Sequence, residues 1–226
     1  MKATCWILLS LSSLTAFATP LLSLTLGLNF KFRSWGLTSL LIVSVTMIAV
    51  GLDWKSQLNS SREVALVIAL GSLTAVSRLP FVLLPNVQPC TFLIVCAGMV
   101  FGSSAGFLVG ILTPLISNLF LGHGPWTPYQ MYAWGMVGGV SGLLSPRMNR
   151  VLLGVVGILF AYFYGFIMNI WFWYSFLYPL NLSTFAMAEI QGIYFDTFHA
   201  IGNFAFLTIL GSRVLRILET FKREAY

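Results

Sequence analysis

The side chains capable of chemistry in this sequence are few, and they fall at helical spacing. Asp196, His199 and Asn203 follow one another at intervals of three and four, so they share one helical face. Gln130 and Trp134 are four apart, as are Asn169 and Trp173. Arg78 stands a short way before Pro85-Asn86 and Gln88, and Asn118 just before the loop Gly122-His-Gly-Pro-Trp-Thr-Pro128. Amides, a guanidinium, a carboxylate and an imidazole among aromatic rings can hydrogen-bond and stack on a polar ligand, which is binding chemistry. The constellations of catalysis are missing. The sequence has no His-Glu-x-x-His, no nucleophile elbow, no Walker lysine loop and no paired intramembrane aspartates. His123 and His199 are a poor metal pair, so no metal ligand set and no cofactor is expected. Cys5, Cys90 and Cys96 form no Cys-x-x-Cys pair and read as buried small hydrophobes.

The elements that must position these groups follow from composition. The chain has 226 residues, 58% hydrophobic and only 8% charged, with a mean hydropathy of +0.89. A water-wetted surface needs roughly 25% charged residues, which excludes a cytosolic enzyme, a nucleic-acid binder and a disordered chain. Runs this long and apolar are transmembrane helices, and alternating barrel segments are absent. The expectation is an all-α polytopic membrane protein of eight spans: about 5–28, 35–52, 62–84, 88–101, 104–121, 128–144, 150–177 and 193–218. They divide into a pair of N-terminal helices within 1–60 and a six-helix core over 61–226.

Basic residues set the orientation. With both termini in the cytoplasm, the inner segments hold Lys2, Lys55, Arg62, Arg147, Arg150, Arg213, Arg216, Lys222 and Arg223. The outer loops hold only Lys31 and Arg33, a clear positive-inside bias. Loops 85–87, 122–127 and 178–192 then face outward together. Ala16-Phe-Ala18 resembles a signal cleavage site, but the apolar run continues past Pro20 to Leu28, too long for a signal core.

All the polar stripes point to the outer leaflet. They either hold the bundle together, with Arg78 pairing to Asp196, or line an outward-facing cavity under the three outer loops. The one-sided distribution favours the cavity. A proton-driven carrier would need carboxylates through the full depth, and only Glu189 and Asp196 are available. Ala65/Ala69 and Gly71/Ala75 in the third span, Gly106/Gly110 and Gly135/Gly139 are small-xxx-small pairs that allow close helix approach. Ala65 and Ala69 begin a helix at the cytoplasmic face and are the best placed to meet a separate protein.

Two segments carry a family resemblance: Leu84-Pro-Asn-Val-Gln-Pro89, and Val100-Phe-Gly-Ser-Ser-Ala-Gly-Phe-Leu-Val-Gly110 leading to Ser117-Asn-Leu-Phe-Leu-Gly-His-Gly-Pro-Trp-Thr-Pro-Tyr-Gln-Met131. Over residues 62–220 the chain resembles the substrate-binding (S) components of energy-coupling factor (ECF) transporters, and looks like their cobalamin-type CbrT group. His123 stands where that group is expected to carry Gln, and Tyr129 where it carries Trp. The resemblance implies a non-catalytic, multi-pass subunit of a prokaryotic cell membrane that captures a vitamin from outside. It also implies docking through Ala65 and Ala69 onto a transmembrane coupling protein bound to two cytosolic ATPases, and delivery by toppling in the lipid. The site it implies has Arg78, Asn86, Gln88, Asn118, Gln130 and Asp196 hydrogen-bonding a cobalt corrinoid, cobalamin or cobinamide. Trp126, Tyr129 and Trp134 would offer flat surface and a lid, while His123 and His199 would add hydrogen bonds. An S component for another micronutrient, a ligand-free membrane scaffold and, weakest, a membrane enzyme are the competing readings.

Overall fold

A computed structural model describes residues 61–225 together with 40, 41, 43–45, 47 and 48. The expected first span, the Ala16–Ala18 site and Cys5 lie outside the described residues. The described part of the second span is helical, and its Val43 and Met47 are buried against the core.

Seven helices follow: α1 (Ser61–Ser77), α2 (Cys90–Phe101), α3 (Ser103–Leu121), α4 (Thr127–Ser141), α5 (Arg150–Phe176), α6 (Leu182–Phe206) and α7 (Ser212–Ala225). No strand occurs among the described residues. A 3-10 turn, Leu79–Phe81, closes α1, and a π turn, Leu207–Gly211, joins α6 to α7. Local chemistry fixes the ends. The Asn149 side chain accepts from the Leu152 N–H at 2.8 Å and starts α5. Gly102 and Gly122, both at positive φ, terminate α2 and α3.

Two expected boundaries change. The outer loop expected over 178–192 is short, because α6 begins at Leu182. A capping box, with Asn181 Oδ1 accepting from Thr184 N and Thr184 Oγ1 from Asn181 N, nucleates the helix eleven residues early. The third span ends as an α-helix at Ser77 rather than near Leu84, since Pro80 cannot continue the backbone ladder.

Ser61–Phe81, Ser103–Leu121, Arg150–Phe176 and Leu182–Arg223 are long and apolar enough to cross a membrane. α2 and α4, with 12 and 15 residues, rise only about 18 and 22 Å against a hydrocarbon core of roughly 30 Å. They are tolerated because other helices enclose them: almost every residue of α2 is buried. The outer surface is apolar, with Leu73, Leu159, Ile201 and Ile209 well exposed.

The small residues sort by partner. A Cβ on Gly110 would fall 2.1 Å from the Trp134 carbonyl oxygen, and one on Gly138 2.0 Å from that of Gly106, so α3 and α4 touch backbone to backbone. Gly71 packs on Leu112 of α3, and Ala75 is buried. Ala65 and Ala69 are exposed.

Candidate functional site

The turns between helices bring the end of α1, the 82–89 segment, the end of α3, the starts of α2, α4 and α6, and the end of α5 to one end of the bundle. Arg78 is buried there, 5% exposed. Its Nε donates to Gln88 Oε1 at 3.0 Å, and Nη1 donates to Ser117 Oγ and to Asn118 Oδ1 at 3.3 Å. Its guanidinium lies 4.7 Å from the centroid of the Trp134 ring. Asn118 Nδ2 then donates to Thr127 Oγ1 at 3.0 Å and Gln130 Oε1 at 2.8 Å, and Gln130 Nε2 to the Tyr164 hydroxyl at 3.3 Å.

A second chain runs beside the first. Trp134 Nε1 donates to Thr91 Oγ1 at 2.8 Å, and Thr91 Oγ1 lies 3.0 Å from His199 Nε2. His199 Nδ1 is 2.9 Å from the Asn86 carbonyl oxygen. A carbonyl only accepts, so Nδ1 carries the proton and Nε2 accepts from the Thr91 hydroxyl. The imidazole is thereby held as a structural relay between α2, α6 and the 82–89 segment. Tyr164 stacks on Trp134 at 4.4 Å and lies 5.3 Å from the His199 ring.

Asp196, 7% exposed, does not meet Arg78. Its Oδ2 accepts from Asn169 Nδ2 at 2.9 Å, and the same amide donates to Glu189 Oε2 at 3.2 Å. The Arg78–Asp196 pair of the bundle-holding alternative does not form; the two belong to separate groups, because Gln88, Ser117 and Asn118 already occupy the guanidinium. Glycine makes room on the other side. A Cβ on Gly165 would sit 2.2 Å from Asp196 Oδ1, and one on Gly192 2.4 Å from Asn169 Nδ2.

Between these groups lies a cavity of about 450 Å³, lined by the 82–88 stretch, α5 around Tyr164–Asn169 and α6 around Gly192–Asp196. Asn86, Gln88 and Asp196 line it directly. Arg78, Asn118, Gln130, Trp134 and His199 stand one layer behind, linked to its wall through Gln88, Tyr164 and Asn86. Asn86 adopts a positive φ of 55°, and its Nδ2 donates to the Phe195 carbonyl at 3.1 Å. Irregular backbone at membrane depth is tolerated where it lines a cavity, and this segment does.

The expected lid residues lie elsewhere. Tyr129 and Trp134 are fully buried in the core. Their rings, on the inward face of a short enclosed helix, pack rather than cover. Trp126 is half-buried, edge-on to Trp171 at 5.9 Å, and His123 is exposed with Nδ1 3.4 Å from Thr127 Oγ1. Sequence reasoning missed Thr91, Ser117, Tyr164, Gly165 and Gly192. A hydroxyl or a glycine in an apolar run is ordinary, and only the fold turns these toward the site.

The profile of the ECF-type riboflavin transporter S component matches residues 63–220. A UPF0397 protein of Vibrio atlanticus is 31% identical over 99 residues, covering 41% of this chain and 53% of the relative, so the chain spans about half the length of that curated relative. No solved structure matches. The profile takes in α1 through most of α7, and the chain belongs to the ECF-type riboflavin transporter S-component family.

Proposed function

We propose that this chain is the substrate-capturing membrane subunit of an ATP-driven ECF importer and binds a vitamin in the cavity between the 82–88 segment, α5 and α6. The observation that carries the reading is that cavity, about 450 Å³, placed at one end of an apolar bundle with amides and a carboxylate on its wall. The volume lies in the lower part of the roughly 300–1,000 Å³ range of small-molecule sites. It suits a flat heterocycle with a polar side arm, and the name of the family points to riboflavin. The polar wall of Asn86, Gln88, Asn169 and Asp196 would bond the arm, with Arg78 holding Gln88 in place. The subunit itself carries out no catalysis; partner ATPases supply the hydrolysis. The site end faces outward and both termini face the cytoplasm, in keeping with the positive-inside bias. The 61–226 core lies within a prokaryotic cell membrane.

The likeness to cobalamin-type components supports a second substrate, a corrinoid. A corrinoid with its nucleotide arm is larger than this cavity, so it would require the 82–89 segment to move aside.

The test is equilibrium binding to detergent-purified protein: riboflavin by quenching of its fluorescence, cobalamin and cobinamide by calorimetry. Saturable one-to-one riboflavin binding is expected. Corrinoid binding alone would transfer the site to the second reading. Silence with all three, from protein shown to be folded, would reject both and leave another micronutrient. A full vitamin screen without binding, while the coupling protein still docks, would make the chain a ligand-free scaffold.

A further inference from the structure

The last helix carries a surface the vitamin site does not use. The stretch from His199 to Lys222 would span about 34 Å as one straight helix, whereas Thr91 to Val100 on α2 spans about 14 Å. Yet His199 meets Thr91 at 3.0 Å, and Lys222 Nζ donates to the Val100 carbonyl oxygen at 2.7 Å. The long side chains of His199 and Lys222 reach back to α2 from the two ends of that stretch. Between them the π turn Leu207–Gly211 interrupts the regular ladder. α7 follows, with its Lys222 end against the last turn of α2.

Its faces are chemically distinct. Leu215 is buried and Val214 and Leu218 pack against the core, while Arg213, Arg216 and Arg223 are exposed beside Ile217 and Phe221, which are 66% and 51% exposed. Arg216, Ile217, Thr220 and Phe221 line a recess of about 370 Å³. Arg216 uses Nε on the Ser212 carbonyl at 3.3 Å, which leaves its terminal nitrogens outward. Continuing a 25-residue helix that already rises about 37 Å, α7 starts at the edge of the hydrocarbon. A helix there, with arginines and large apolar side chains on its free face, has the make-up of an interfacial element.

We propose that the free face of α7 binds anionic phospholipid, with Arg213, Arg216 and Arg223 on the headgroup phosphates and Ile217 and Phe221 among the acyl chains. Charge sign and continuity with a membrane-crossing helix favour lipid over a protein occupant.

Native mass spectrometry of the full chain, titrated with phosphatidylglycerol and with phosphatidylcholine of equal chain length, tests this. Phosphatidylglycerol should bind more tightly, and excess inorganic phosphate should not displace it. At roughly fivefold per arginine, R213Q/R216Q/R223Q should weaken it on the order of 100-fold. The corresponding lysine variant should retain most of the affinity, and R147Q/R150Q, at the same end but off α7, should retain all of it. Equal binding of the two lipids, or a glutamine variant that binds like the parent, would overturn the proposal. Unchanged lipid affinity with lost co-purification of a coupling protein would overturn it as well and put a protein on this face.

Discussion

Arg78 is a buried cation whose bonds all go to neutral oxygens and an aromatic face. The guanidinium works as a fork: Nε fixes Gln88 at the cavity wall while Nη1 holds α3. A lysine ammonium is a point charge on a flexible stem and cannot keep both. With charge-assisted bonds worth about 1.5–3 kcal/mol each, Arg78→Lys should raise the dissociation constant of the vitamin at least tenfold, read by calorimetric titration. Thr91 presents a separate case, since it accepts from Trp134 and donates to His199. Thr91→Val keeps the shape and leaves a buried indole N–H without a partner, so unfolding in detergent should become easier by about 1–2 kcal/mol. At this scale the sequence was legible where polar types recur at three or four residues. Gln130/Trp134 and the Asp196, His199, Asn203 stripe share faces as their spacing requires. It was not legible for Arg78's partners, because Ser117 and Gln88 come from other elements, and spacing within one helix carries no information across helices.

Among the elements, α5 and α6 decide the size of the cavity. Gly165 opposite Asp196, and Gly192 opposite Asn169, let each helix seat a polar side chain of the other. An alanine at either position drives a methyl group into the atoms that line the site. Gly165→Ala and Gly192→Ala should each lower stability by about 1–3 kcal/mol through overpacking and weaken vitamin binding at least tenfold. Gly71→Ala would put its methyl 2.8 Å from Leu112 Cβ, overpacking α1 on α3 away from the cavity, and should cost stability while leaving affinity unchanged. Parallel thermal melts and fluorescence titrations of the three proteins separate a site effect from a general packing effect. The limits of α2, α3 and α5 lie within two residues of the sequence-based expectation, because glycine, proline and asparagine mark them. The start of α6 was hidden. Ser183, Thr184, Glu189 and Gln191 lower its hydropathy to that of a loop, and only the Asn181 cap declares the helix.

For the whole molecule, apolar surface on nearly every side and charges kept to the ends allow the bundle to tilt in lipid without burying a cation. On the proposed function a coupling partner drives such motion and needs a grip on the bundle. α1 offers a surface for it that leaves the core undisturbed. Gly71 packs on Leu112 of α3 and Ala75 is buried, whereas Ala65 and Ala69 are exposed one turn apart, beside the larger Val64 and Ile68. Against lipid this notch gains nothing from being small, but against another helix it permits backbone approach. Both alanines are exposed, so replacing them by leucine fills the notch without displacing a described core residue. Ala65→Leu/Ala69→Leu should therefore melt like the parent and bind vitamin with the same affinity. It should fail to co-purify with the coupling protein and its ATPases, and should lose ATP-dependent uptake in vesicles. Retained co-purification would place the docking face on another helix, and a loss of vitamin affinity in the same variant would mean that α1 communicates with Arg78 along its own length.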